Sequence, residues 1–179
     1  MTQSTEMWVD RTDFRRTKTV QLELPKLAAG QVLVAMDKFA LTSNNVSYAV
    51  GGDFIGYWNY YPADEQWGKV PVWGCADVIE SDCADVEVGE RLWGFFPMAS
   101  HAILQPGKIR EEQFTDVAVH RQELPDLYNK YRRTQAEPEF IRNMETERCL
   151  LFPLFATSYL LADYLIDNEF FGAQQVFVG

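Results

Sequence analysis

The chain has 179 residues, enough for one domain of ordinary size or one domain plus a fragment of another. A hydrophobic share of 47%, with 14% aromatics, supplies the material of a folded core and excludes intrinsic disorder. Sixteen Lys and Arg against 26 Asp and Glu leave a net charge of -10, which repels phosphate backbones, excludes nucleic-acid binding and argues against anionic membrane surfaces.

In chain order, residues 6–23 alternate weakly between apolar and polar and predict one or two edge strands. Pro25 and Gly30 bracket a turn. Residues 31–40 alternate at period two, with Val32, Val34 and Met36 on one face, and predict a strand. Ser43 or Asn44 is placed to cap a short helix through Tyr48, ending at Gly51-Gly52. An aromatic loop follows, in which Phe54, Tyr57, Trp58, Tyr60, Tyr61 and Trp67 are punctuated by Gly, Pro and Asp. Strands are expected over 70–81, 91–96 and 100–104, with a tight turn at Glu87–Glu90 that Arg91 would bond. Many short strands with frequent turns predict a small barrel or sandwich.

The texture changes after Gln105-Pro-Gly. Residues 108–148 are charged and poor in β-branched runs, and Leu124, Leu127, Tyr128 and Tyr131 stand at helical spacing behind Pro125. Phe152, Phe155, Tyr159, Ala162 and Ile166 repeat at three and four and predict a second helix. The chain then runs through a short apolar strand into Gly179. The expected organisation is a barrel over 1–107, a charged helical insertion over 108–150, and a linking helix with a following strand over 151–179.

Three cysteines, Cys75, Cys83 and Cys149, lie far apart without CxxC spacing, the pattern of reduced thiols and not of a disulfide framework. The N-terminus is polar, without the apolar segment of a signal peptide. The longest apolar stretch, Leu150 to Ile166, contains Pro153 and Asp163 and reads as too short to cross a bilayer. A soluble cytoplasmic protein is the expectation.

Three segments together resemble the medium-chain dehydrogenase/reductase superfamily. Gly30-Gln-Val-Leu-Val-Ala-Met-Asp-Lys-Phe-Ala-Leu-Thr-Ser-Asn-Asn resembles its first barrel strand and the loop after it. Val72-Trp-Gly-Cys-Ala-Asp-Val-Ile-Glu-Ser, running on to Val88-Gly-Glu-Arg-Leu-Trp-Gly, resembles the paired strands around its "VGDRV-G" turn. Phe152-Pro-Leu-Phe-Ala-Thr-Ser-Tyr, followed by Val176-Phe-Val-Gly, resembles the linking helix that feeds the first strand of its Rossmann domain. Asn45 to Trp73 is similar to an uncharacterised branch of the superfamily. The resemblance implies a mainly β, GroES-like barrel with a C-terminal helical segment leading to a truncated Rossmann start.

Departures from the superfamily pattern set the expected chemistry. Leu41-Thr42-Ser43 stands where zinc alcohol dehydrogenases place a Cys ligand, and Val72-Trp73-Gly74 stands in place of their Gly-His-Glu. Thiolate and imidazole are what fix Zn²⁺ tetrahedrally, so no metal is expected. The resemblance implies the substrate-side domain of a zinc-independent, NAD(P)H-dependent oxidoreductase acting on an activated carbonyl or enone. NADP or NAD would serve the full-length parent, with none expected for this chain alone, where Gly179 is the one candidate cofactor contact. A small-molecule substrate is the expected partner, with homodimer formation left open and neither nucleic acid nor membrane expected.

Asn44, Asn45 and Tyr48 sit where such barrels place polar groups and are the candidate catalytic residues, since a neutral amide or phenol can hydrogen-bond a substrate carbonyl. Asn44 reads equally as a helix cap and Tyr48 as a packed ring. Tyr57, Trp58 and Tyr60 are the candidate substrate-binding residues, as aromatic faces with polar tips suit an apolar pocket. Packing onto the barrel or an oligomer contact explains them as well. His101 and His120 lack a nucleophile signature nearby, and Cys75 reads as a small buried hydrophobe in a strand. The alternative function is a non-catalytic ligand-binding or assembly module built on the same barrel.

Overall fold

The computed structural model describes residues 2–175 and Phe177. Ten strands make two sheets. The smaller joins β1 (Gln3–Asp10), β2 (Thr17–Glu23) and β4 (Trp67–Gly68) in the order β2-β1-β4. The larger contains β3 (Val32–Phe39), β5 (Pro71–Ser81), β6 (Arg91–Pro97), β7 (His101–Leu104), β8 (Pro106–Gly107), β9 (Gln113–Asp116) and β10 (Lys130–Arg133). Its order is β7-β3-β5-β6-β10-β9-β8, with antiparallel pairing throughout.

That order contains its own closure. β7 and β8 lie at opposite edges, yet only Gln105 separates them in the chain. The two edges therefore meet at Gln105, whose carbonyl accepts from Val117 N–H at 2.8 Å and whose own N–H reaches the Asp116 carboxylate at 3.2 Å. Closing the sheet in this way removes exposed edges. Register shifts in the β3–β5 pairing, between Leu33 and Val34 and between Met36 and Lys38, supply the local bending such curvature needs. The small sheet is sewn on by Met7 N–H to Met98 O (2.9 Å) and Ser100 N–H to Thr5 O (2.8 Å). Val32, Val34, Leu92, Phe95, Phe96, Leu104, Phe114 and Tyr131 fill the interior.

The fold is mainly β with helices, as expected, and β3, β5, β6 and β7 fall on their predicted segments. The charged segment after residue 107 is the principal correction. Instead of a helical insertion it contributes β9 and β10 to the large sheet, with short 3-10 turns at Val119–Arg121, Asp126–Asn129 and Thr134–Ala136 and one short helix, α2 (Glu139–Arg142). The cause is tertiary. Tyr131 is wholly buried against Phe96 and Phe114 and bonds Phe95 O at 2.8 Å, whereas Leu127, on the supposed helical face, is exposed. Core burial at one position overrides a weak periodic pattern.

α1 (Ser43–Val50) forms as predicted, with a corrected cap: Thr42, not Ser43 or Asn44, is the N-cap residue. α3 (Glu145–Asp167) starts earlier than the apolar repeat and runs for 23 residues. Counting the apolar run alone understated it. By length and composition α3 could cross a membrane: its most apolar 18 residues have a mean hydropathy of 1.7, and 6% of them are buried. The strand expected after Gly172 falls partly on Val176, Val178 and Gly179, which lie outside the described residues.

Arg91 is structural, but not through the turn. It holds Asp37, Asp77 and Glu145, while Arg133 takes both oxygens of Glu90 at 2.6 and 2.7 Å.

Candidate functional site

β3 runs out at Phe39, and Ala40 N–H bonds Trp73 O at 3.1 Å, so the chain leaves the sheet beside β5. Thr42 then turns it into α1. The Thr42 hydroxyl accepts from Asn44 N–H at 3.3 Å, and the Asn45 side chain accepts from Thr42 N–H at 2.7 Å, a reciprocal cap that satisfies donors a helix start leaves unpaired. Asn45 also donates to Pro71 O at 2.9 Å, pinning α1 to the start of β5. Both ends of the Asn45 amide are thus engaged in positioning, and the Asn44 side chain stays out of the cap.

Tyr48, on the buried face of α1, packs 4.8 Å from the Tyr57 ring and edge-on to Phe95 at 5.3 Å. Burial pushes its phenol above the ordinary value of 10.0, which keeps it a protonated donor. Asn44, Asn45 and Tyr48 do come together. With Trp73 they form the barrel side of a narrow cleft, closed on the other side by Cys149, Leu150, Pro153 and Leu154 of α3. Its volume is about 10 Å³, room for one water. The Trp73 indole N–H is buried facing the Tyr48 hydroxyl, near enough to offset part of what burial does to that phenol but short of a well-formed hydrogen bond.

The aromatic loop does not line this cleft. Tyr57, Trp58 and Tyr60 are all buried in the core, and the hydroxyls of the two tyrosines are turned toward partners inside the protein. Tyr57 Oη lies 3.2 Å from Tyr128 Oη, and Tyr60 donates to Pro125 O at 3.4 Å. Trp58 is packed between two glycines: a Cβ at Gly52 would come within 2.0 Å of its ring, and one at Gly68 within 2.3 Å. Burial raises the Tyr57 and Tyr60 phenols too, so all three tyrosines stay neutral.

Several features escaped sequence reasoning. Cys149 reaches Cys75 across the α3–β5 contact, Sγ to Sγ 3.8 Å, from 74 positions away, so no spacing could have revealed it. His101 and His120 line one cavity of about 160 Å³ with Lys69 and Arg121. Lys69 there is paired to Glu6 at 2.7 Å and Arg121 to Asp116 at 3.2 Å. Burial, then the nearby Arg121 charge, hold the His120 imidazole below its ordinary value. Among the described residues, no group of three or more His, Cys, Asp or Glu stands close enough to hold a metal ion. An open apolar groove of about 730 Å³ lies between α2 and α3, walled by Phe140, Ile141, Met144, Leu151, Phe152 and Phe155.

The model of a family described as a protein of unknown function (DUF2855) matches residues 39–179. The chain belongs to this family. The part matched to DUF2855 takes in α1, the cleft and α3, so the whole candidate site lies within it. No curated protein is similar enough to match. Among solved structures, a quinone oxidoreductase from Coxiella burnetii is similar over 72% of this chain and 40% of that one, with 16% identity and a TM-score of 0.39. The DUF2855 chain thus spans less than half the length of that enzyme.

Proposed function

We propose that the chain is the substrate-side, GroES-like part of a zinc-independent NAD(P)H-dependent oxidoreductase of the medium-chain dehydrogenase/reductase type, acting on an activated carbonyl or enone. The observation that carries this reading is the donor set at the cleft. A neutral Tyr48 phenol, the Asn44 amide and the Trp73 indole N–H border one cleft, and a carbonyl oxygen is an acceptor that such donors can polarise. A cleft that admits one water has no room for a nicotinamide ring. The rings of both cofactor and substrate would therefore stand outside it, the cofactor held by further protein, and this chain's own part is to take the substrate's carbonyl oxygen in the place of that water.

The exposed side of α3 supports the same reading. Phe155, Tyr159, Leu160, Leu161 and Tyr164 all face outward, an apolar surface of the kind that marks an interface. We read its cover as a second domain in a cytoplasmic protein. Asp163 within the helix, and the ion pairs that tie Glu145 in its first turn to Arg91 and Lys38, suit a helix rooted on the barrel by its first turns better than one crossing lipid.

The test is nicotinamide oxidation, followed by absorbance, with a panel of quinones and enones. The protein used should carry whatever coding sequence continues in frame past Gly179. Turnover that falls about 10-fold or more in Tyr48→Phe is expected, since donors to a developing oxyanion are worth at least that much. No turnover with any acceptor and either cofactor would remove the proposal. A second reading, a non-catalytic ligand-binding or assembly module, is favoured by the groove between α2 and α3, where large apolar side chains such as Phe140, Phe152 and Phe155 stand among five charged residues. Saturable binding of an apolar ligand, lost in Phe152→Ser while the cleft variants keep it, would single out that reading.

A further inference from the structure

We infer that Cys75 and Cys149 form a reversible disulfide that staples α3 to the barrel in response to hydrogen peroxide. The two thiols come from elements far apart in the chain. Cys75 sits in the middle of β5, at 0% exposure, and Cys149 one turn into α3, at 4%. Their sulfurs are in contact at 3.8 Å. A disulfide needs about 2.05 Å between sulfurs, a closure that small side-chain rotations on both partners can supply. Both residues stand on elements already held together, because Glu145, one helical turn before Cys149, is clamped by Arg91 of β6 and Lys38 of β3. The pair is therefore presented for bonding by the fold itself.

The surroundings assign the two sulfurs different parts. Cys149 borders the cleft between α1 and α3, whereas Cys75 lies behind it in the sheet. Cys149 is thus the sulfur a small oxidant meets. The hydrogen bond from Cys75 holds the Cys149 thiol below its ordinary value of 9.0, and the same bond, with burial, pushes Cys75 up. The shift runs in the direction that nucleophilic attack from the reachable sulfur requires.

The chemistry balances with peroxide as the oxidant. The Cys149 thiolate attacks one peroxide oxygen, the O–O bond breaks, and sulfenic acid forms with release of hydroxide. The Cys75 thiol then attacks the sulfenic sulfur, the S–S bond forms, and water leaves. In sum two thiols and one hydrogen peroxide give one disulfide and two waters, the thiols being oxidised and the peroxide reduced. A dithiol reductant reverses it. A bulky oxidant such as glutathione disulfide must leave a tripeptide on the attacking sulfur, and the cleft has no room for one. Oxidation would fasten α3 over Asn44, Tyr48 and Trp73 and so fix the width of the cleft.

The decisive measurement is made on the unaltered chain. It is treated with hydrogen peroxide, denatured, and alkylated, and the thiols are then counted and the linked peptides identified by mass spectrometry. Two of the three thiols should be lost, linked as a Cys75–Cys149 peptide pair, with Cys83 still alkylatable and dithiothreitol restoring all three. Glutathione disulfide at the same concentration should give at least 10-fold slower loss. Three free thiols after peroxide, a link through Cys83, or Cys149 driven to sulfinic acid without a link would each overturn the inference. In Cys75→Ala, Cys149 should stop as a sulfenic acid that dimedone traps. If Cys149→Ala leaves Cys75 oxidised at the original rate, the assignment of the attacking sulfur is wrong. The count on the unaltered chain stands even if either variant fails to fold.

Discussion

Arg91 grips Glu145 with two nitrogens, Nε to one carboxylate oxygen at 2.9 Å and Nη2 to the other at 2.7 Å, and so fixes the first turn of α3 to the barrel. The remaining faces of the guanidinium hold Asp77 at 2.9 Å and Asp37 at 2.6 Å. One cation thus gathers three carboxylates from β3, β5 and α3, with Lys38 adding a second cation at 3.0 Å from Glu145. The planar fork of arginine suits this arrangement and lysine does not.

Removing that cation is expected to loosen α3 before it unfolds the barrel. Arg91→Ala leaves three carboxylates facing one another, with only Lys38 to offset them, and should cost about 2 kcal/mol, below the figure for fully buried pairs because the site is partly wet. Arg91→Lys should recover less than half of the loss. Urea denaturation gives the stability, and faster hydrogen exchange confined to residues 145–155 would show the local release. Unchanged exchange there would mean that packing alone holds the helix.

Asp10 should set a step in the acid stability of the small sheet. The Thr12 hydroxyl at 2.7 Å and Thr12 N–H at 2.8 Å, with Gln66 at 3.0 Å, all donate to its carboxylate and lower it from 3.8 to about 2. A folded-state value below the unfolded one means stability that is fully present above pH 3.8 and lost as pH falls through the interval down to about 2. Asp10→Asn should flatten that part of the stability curve. Thermal melts of both proteins between pH 2 and 5 provide the check, and parallel curves would refute it.

Much of this fold was legible because its main strands carry apolar, β-branched residues between turn signals: β3 and β5 bury Val32, Val34, Val72 and Val78. β9 and β10 were not, since four residues set in a charged stretch show no strand pattern, and Phe114 and Tyr131 enter the core only because the edges of the sheet meet at Gln105. The cap of α1 was off by one or two residues because Thr42, Ser43 and Asn44 all suit the role, and only the answering side chain of Asn45 decides among them. Asn44, Asn45 and Tyr48, adjacent in sequence, were found together. Trp73 and Cys149 were not, because a site shared by a strand and a distant helix leaves no local pattern. The aromatic loop was read toward a pocket from its composition, but each of its tyrosine hydroxyls found a partner inside the protein.

Trp58 gives a test of packing at that loop. Its indole lies on the backbones of Gly52 and Gly68, where a Cβ would stand 2.0 and 2.3 Å from ring atoms. Gly68→Ala should therefore destabilise by about 1–3 kcal/mol, the usual range for overpacking a rigid core. Gly89→Ala serves as a contrast, since a Cβ there meets nothing within 4 Å and the cost comes only from its φ of +94°. Urea denaturation with tryptophan fluorescence reads both, and a shifted emission maximum in Gly68→Ala alone would place the disturbance at Trp58.

Tyr61 and Tyr131 share one acceptor, and the sharing should be measurable. Both hydroxyls reach Phe95 O, at 2.9 and 2.8 Å, and they lie 2.8 Å from each other in a fully buried setting. Either phenylalanine substitution leaves the carbonyl one donor, so each should cost about 1 kcal/mol, the net worth of a single hydrogen bond. Removing both leaves a buried edge of the Phe95 carbonyl without its side-chain donors, and unsatisfied buried groups cost more than lost bonds. Tyr61→Phe/Tyr131→Phe should thus exceed the sum of the single variants by about 1 kcal/mol in a double-mutant cycle. Simple additivity in urea unfolding would mean that the two bonds act independently, and that Phe95 O is satisfied without them.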